Sequence, residues 1–204
     1  MSQAPIRLGM LISGGGRTLV NLQEHIAAGT LNASMEIVVS SRGDVKGVER
    51  SRELRLPTIV IERKSLSSET FQHSVTDAVA GVDLVLMGGF LSLWRIPDEF
   101  NGRVMNIHPA LLPEFGGRGM YGERVHEAVL AAGKTVSGCT VHFCDNEYDH
   151  GPIILQRKVS VLPDDTPDTL AARVFEQECI AYPQAVRLFA EGRIALEGDS
   201  VTIV

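Results

Sequence analysis

The 204-residue sequence has no apolar run near the roughly 18 residues that a membrane helix needs, so no membrane partner is expected. Its start, Met1-Ser-Gln-Ala-Pro-Ile-Arg7, lacks a basic segment followed by an apolar one, so a cytoplasmic location without a secretory leader is expected. Cysteine is scarce. Cys139, Cys144 and Cys179 are an odd number with neither disulfide-framework nor zinc spacing, which fits a reducing compartment. Positive charge is in short supply too: 19 Lys+Arg against 25 Asp+Glu leave a net charge of −6. That balance argues against a nucleic-acid partner but leaves room for a local basic site that takes a small anion. Repeats, low-complexity tracts and linkers are absent. With 44% hydrophobic and 22% charged residues, the chain reads as globular and long enough to bury a core, with one domain over 1–204 expected.

What is present is an alternation of short apolar runs with helical patterns. Residues 7–12 read as a buried strand ending in Ser13-Gly14-Gly15-Gly16-Arg17. Thr18 then offers an N-cap, Leu19, Leu22 and Ile26 form one apolar helix face, and Gly29 stops the helix. Further strands are expected at 35–40, 58–61, 84–87 and 104–108, with helices over 45–54 and 67–80. Strands alternating with helices imply a parallel sheet with right-handed crossovers, and strands without polar alternation imply burial on both faces. A helix over 123–132 carries Val125, Ala128, Val129 and Ala132 on one side. The strands 137–143 and 153–161 are separated by only nine residues, so this part of the sheet should be antiparallel. Thr166-Pro167 starts a final helix that Pro183 kinks or divides and Gly192 ends, and 194–196 with 201–204 suit a hairpin. The fold class expected is α/β: a Rossmann-like, mostly parallel twisted sheet with an antiparallel C-terminal part and helices on both faces.

Chemistry concentrates at four places. Glycine-rich turns opening a helix present backbone N–H groups and the positive end of the helix dipole to a phosphate. Here Gly15, Gly16, Arg17 and Thr18 stand at such a turn. The dinucleotide fingerprint fits poorly, because position 19 is Leu where a third glycine belongs and Ser40-Ser41-Arg42 follows the second strand instead of an acid. A single phosphate suits the turn better, while an NADP-binding module using Arg42 for a 2′-phosphate is the non-enzymatic rival. Second, Asn106 and His108 project to one face of a strand at its C-terminal end, where open α/β sheets bind ligands. An amide donor suits an oxyanion and an imidazole moves protons near neutral pH. Third, Asp149 lies in the loop 144–152, where it either caps its own turn or pairs with His108. His142, Cys144, Asp145, Asp149 and His150 crowd the same stretch, yet no zinc or iron spacing is found and no metal is expected. Fourth, Glu178 falls inside the apolar stripe of the last helix with Leu170, Ala171, Val174, Phe175 and Tyr182, so it either pairs with an internal arginine or faces a cleft and a substrate amine.

These segments resemble a known family. Ser13–Gly16, Asn106-Ile-His108-Pro-Ala-Leu-Leu-Pro113, Val141-His-Phe143 and Asp149-His-Gly-Pro152 are similar to the folate-dependent phosphoribosylglycinamide formyltransferases over nearly the full length. The resemblance implies formyl transfer from 10-formyltetrahydrofolate to the amine of 5′-phosphoribosylglycinamide in purine synthesis. It implies Asn106, His108 and Asp149 as the catalytic set. It assigns the ribonucleotide to Gly15, Gly16, Arg17, Thr18 and Glu178, and leaves a second phosphate contact to Lys64 or Arg118, since Ser68-Glu69 stands where the family has a helix arginine. Leu91, Ser92, Leu93 and Trp94, with Asn106, Val141, Asp145 and Asp149, would line the folate site, largely through backbone groups. The loop Gly116–Gly122 is longer than the Pro-Gly-Leu-His type that the resemblance implies there. Partners implied are small molecules only, with the chain a monomer or homodimer. A formyltransferase for another amine and a 10-formyltetrahydrofolate hydrolase are the enzymatic rivals.

Overall fold

A computed structural model describes residues 4–198 and 200–204; the first three residues of the stretch read for a leader lie outside them. The elements run β1 (Ile6–Ile12), α1 (Arg17–Ala27), β2 (Ala33–Ser40), α2 (Lys46–Glu53), β3 (Thr58–Val60), α3 (Ser68–Val79), β4 (Leu84–Met87), β5 (Val104–His108), α4 (Glu123–Ala131), β6 (Val136–Phe143), β7 (Ile153–Ser160), α5 (Pro167–Ala190), β8 (Ile194–Glu197) and β9 (Ser200–Ile203). The chain divides inside β5 into two units, residues 1–105 and 106–204.

In the first unit the strand order is β3-β2-β1-β4 and the pairings of β1 with β2 and β4, and of β2 with β3, are parallel. Met10, Leu11 and Ile12 are all fully buried. Neighbours on a strand point to opposite faces, so both faces of β1 are covered, as its unbroken apolar run predicts. Each such side chain contributes about 1.5–3 kcal/mol. Ser67 caps α3 by accepting the N–H of Thr70. The cap of α1 differs from expectation: Gly16, at φ 69°, precedes the helix without a side-chain bond, and Thr18 lies inside the first turn. The left-handed conformation suits glycine best, so the backbone turn rather than a hydroxyl sets where α1 begins.

In the second unit β6 and β7 are antiparallel, with Val136 opposite Ser160 and Thr140 opposite Gln156. Helix α5 opens with Thr166 and Thr169 bonded reciprocally and Pro167 in the first turn. Of the two outcomes expected at Pro183, a kink or a division, division does not occur: the helix runs unbroken from Pro167 to Ala190. A proline inside a helix costs about 3 kcal/mol, but Ala181, Tyr182, Ala185 and Val186 around it are completely buried, and that burial is worth more. Strands β8 and β9 form the expected hairpin.

Candidate active site

Strand β5 delivers Asn106 and His108 to one face by its period of two, β6 brings His142, and the loop after β6 brings Asp149. The four side chains meet in the second unit. His108 Nδ1 lies 3.3 Å from Asp149 Oδ1, and Asn106 donates from Nδ2 to the same oxygen at 3.3 Å and to His142 Nε2 at 3.2 Å. Asp149 adopts φ 53°, a left-handed conformation that aspartate tolerates better than most residues. Its other oxygen, Oδ2, accepts the N–H of Gly117 at 3.0 Å. The alternative in which Asp149 merely caps its own turn is therefore set aside: its carboxylate spends both oxygens on the cluster and the 113–122 loop.

Hydrogen-bond logic fixes the ring states. His142 Nδ1 faces the carbonyl of Phe143 at 2.8 Å, an acceptor only, so this nitrogen carries the proton and Nε2 accepts from Asn106. Burial lowers the pKa of His142, outweighing the bond to Phe143 and the charge of Asp149, and keeps the ring neutral. His108 differs: Nε2 faces the carbonyl of Phe115 at 2.8 Å while Nδ1 faces the Asp149 carboxylate. Both partners are acceptors, so only the imidazolium satisfies both contacts. Burial opposes the charge on Asp149, but the hydrogen bond and charge of His108, the Gly117 N–H and His142 overcome it and hold the carboxyl below its ordinary range. The result is a nearly dry cluster, with His108 3% and Asp149 11% exposed at the side chain, containing one cation, one anion and one oriented amide.

The glycine-rich turn lies in the first unit, between β1 and α1. Ser13 Oγ accepts the N–H of Leu91 and bonds Ser41 Oγ at 2.6 Å, which anchors the turn to the segment after β4. No acidic residue stands in the first turn of α1, so nothing there competes with an anion for the dipole. Arg17 is exposed and Thr18 half-buried. Arg42 holds Asp44 through two hydrogen bonds of 3.1 and 2.9 Å, so its guanidinium is already matched to a carboxylate; that weakens the NADP rival.

Other sequence-assigned residues fall out unevenly. Leu91 and Leu93 are exposed and Ser92 half-buried, whereas Trp94 is a core side chain whose indole N–H donates to Thr76 and whose ring packs edge-on against Phe100. Val141 is buried on β6. Asp145 is engaged with His150 at 2.6 Å and with the N–H of Glu147. Lys64 is exposed in a short 3-10 turn after β3. Glu178 is half-buried on α5, and after burial its charge is the next cause that pushes the Cys139 thiol up to about 12, which leaves that cysteine unreactive. Among the described residues no group of three or more His, Cys, Asp or Glu is placed to hold a metal ion. Sequence reading passed over His142 as an orienting group, although a histidine between Val141 and Phe143 on an apolar strand is itself a signal. The Phe115 carbonyl and Gly117 N–H left no such signal, because they act through the backbone.

Fold and cluster together define an α/β enzyme of group transfer, with a dry imidazolium–carboxylate pair beside an amide. The chain belongs to the formyl transferase family, which residues 6–186 match. Among similar proteins, phosphoribosylglycinamide formyltransferase of Arabidopsis thaliana chloroplasts is 38% identical over 97% of this chain and 70% of its own length. The Haemophilus influenzae phosphoribosylglycinamide formyltransferase is 32% identical over 95% of this chain and 91% of its own. The crystal structure of glycinamide ribonucleotide transformylase 1 from Symbiobacterium toebii superimposes with a TM-score of 0.91 at 37% identity, covering 100% of this chain and 96% of that one.

Proposed function

We infer that this enzyme transfers the formyl group of 10-formyltetrahydrofolate to the amine of 5′-phosphoribosylglycinamide, a step of purine synthesis, with residues 1–204 acting as one formyltransferase domain. The observation that carries the mechanism is the joining of Asn106, His108 and Asp149 by contacts of 3.3 Å. The amine lone pair attacks the formyl carbon and the carbonyl electrons move to oxygen. Asn106 and the His108 imidazolium stabilise that oxyanion. Both are engaged in the free protein, so the arriving oxygen exchanges with their existing acceptors, the 3.3 Å bond from Asn106 to Asp149 being the easiest to give up. Collapse of the tetrahedral adduct breaks the bond to the folate nitrogen. The proton lost by the attacking amine reaches that nitrogen with Asp149 assisting, through water. Metal and covalent enzyme intermediate are not needed for this balance.

Gly15, Gly16, Arg17 and Thr18 are proposed to hold the ribonucleotide phosphate, Glu178 the ribonucleotide, and exposed Lys64 a further phosphate oxygen. Leu91–Trp94, Val141, Asp145 and Asp149 are proposed for the folate, with Trp94 contributing through its backbone because its side chain is committed to the core. A cytoplasmic setting fits the three free cysteines, Cys139, Cys144 and Cys179. Initial rates of 10-formyltetrahydrofolate deformylation with and without the ribonucleotide test the assignment. Turnover that requires the ribonucleotide supports it; equal turnover without it means a hydrolase and overturns it.

A further inference from the structure

Helix α2, which no part of the reaction above uses, is tied to the glycine-rich turn at two consecutive carbonyls. The N–H of Gly47 donates to the Gly14 carbonyl at 3.0 Å, and Nη1 of Arg50 donates to the Gly15 carbonyl at 2.5 Å. The approach is closed to any side chain. A Cβ on Gly47 would sit 2.6 Å from the Gly14 oxygen and 2.7 Å from Ile12 Cδ1, and a Cβ on Gly16 would sit 2.7 Å from the Gly47 Cα. In a planar trans peptide the C=O and N–H vectors point in opposite directions. Drawing the carbonyls of Gly14 and Gly15 onto α2 therefore turns the N–H groups of Gly15 and Gly16 away from it, immediately before the residues that open α1. Among the described residues no carboxylate lies within salt-bridge reach of the Arg50 guanidinium, which is half-buried. Its charge is thus left to act on the turn.

We propose that Arg50 is a positioning residue for the ribonucleotide phosphate: from α2 it holds the Gly15 carbonyl back, so that the Gly15 and Gly16 N–H groups face the anion, and it adds a fixed positive charge behind them. The proposal rests on the assignment of that phosphate to Gly15–Thr18. An exposed lysine swinging toward the ligand would pay conformational entropy on each binding event, whereas Arg50 is held before the ligand arrives.

The test compares the native enzyme with Arg50→Gln and Arg50→Lys, using phosphoribosylglycinamide, its dephosphorylated riboside, and inorganic phosphate as a competitive inhibitor. Arg50→Gln is expected to raise the KM for the ribonucleotide and the Ki for phosphate tenfold or more. In that variant kcat, the KM for 10-formyltetrahydrofolate and kcat/KM for the riboside stay within twofold. Arg50→Lys, which restores the charge and one donor, recovers most of the loss. A purely structural staple predicts otherwise: both variants would lower thermal stability and kcat together, or shift every KM equally, and either result overturns the proposal. So does a ribonucleotide KM within twofold of native in Arg50→Gln. If the native enzyme uses ribonucleotide and riboside with equal kcat/KM, the phosphate assignment itself falls, independently of Arg50.

Discussion

The two halves of this protein build their sites from different material. In the second unit the cluster is made of side chains: Asn106, His108, His142 and Asp149 hold one another with bonds of 3.2–3.3 Å in a buried setting. In the first unit the turn from Gly14 to Gly16 is made of backbone, and its geometry is set by what its glycines lack and by two donors from α2. A side-chain site fails when a functional group is removed, and it fails in the chemical step. A backbone site fails when atoms are added or a supporting bond is cut, and it fails in binding. The contrast between kcat and KM effects is therefore the measurement that sharpens or breaks the comparison.

The largest effect is expected at His108. His108→Ala removes the only cation of the cluster, and kcat should fall about 10²–10⁴-fold while the ribonucleotide KM stays within about twofold. Asp149→Asn should cost a similar factor, because it removes the counter-charge that keeps the imidazolium in place. A KM effect without a kcat effect in either variant would erase the distinction between the two regions. In the first unit, Gly16→Ala forces an L-residue into φ 69° and drives its Cβ against the Gly47 backbone. Loss of about 1–3 kcal/mol of stability is expected in chemical denaturation, together with a raised ribonucleotide KM and a kcat near native. His142→Phe should be milder. It removes one acceptor from Asn106, worth about 1 kcal/mol, so kcat should drop about fivefold with both KM values preserved.

The smallest effect concerns pH, and between pH 8 and 5 it should come from two buried histidines of the second unit. Burial depresses the pKa of His126 and of His142 below 6.5, with the charge of His108 adding to both. The unfolded chain then binds protons that the folded state refuses, so stability is complete above pH 6.5 and declines as pH falls through that value toward the lower folded ones. Asp149, depressed below 3.8, contributes stability that is present above 3.8 and lost as pH falls through its lower folded value. Urea midpoints measured from pH 8 to 5 should decline, and His126→Leu, which removes a buried ring nitrogen without a partner, should flatten that decline. An unchanged slope in the variant would place the acid sensitivity elsewhere.

Much of this was readable in advance. Apolar runs gave β1, β4 and β5 within a residue, because burial on both faces leaves a strand no polar positions. Asn106 and His108 share a face because strand periodicity is geometric and needs no partner. Where reading failed, longer-range packing had overruled a local rule. Pro183 stays inside α5 because the residues around it are buried. Gly16, not Thr18, starts α1 because the backbone there turns left-handed against α2.

The amino-acid order by itself determined the residue types, the face each occupies on its own strand or helix, and through the quoted segments the family. Tertiary structure alone decided that Asp149 reaches His108 across 40 intervening residues rather than capping its turn, that His142 orients Asn106, and that Arg50 holds the Gly15 carbonyl. The physical reason is one of range. Periodicity and turn chemistry act over a few residues, whereas a hydrogen bond between distant segments exists only after burial has brought them together and made leaving either partner unpaired too costly.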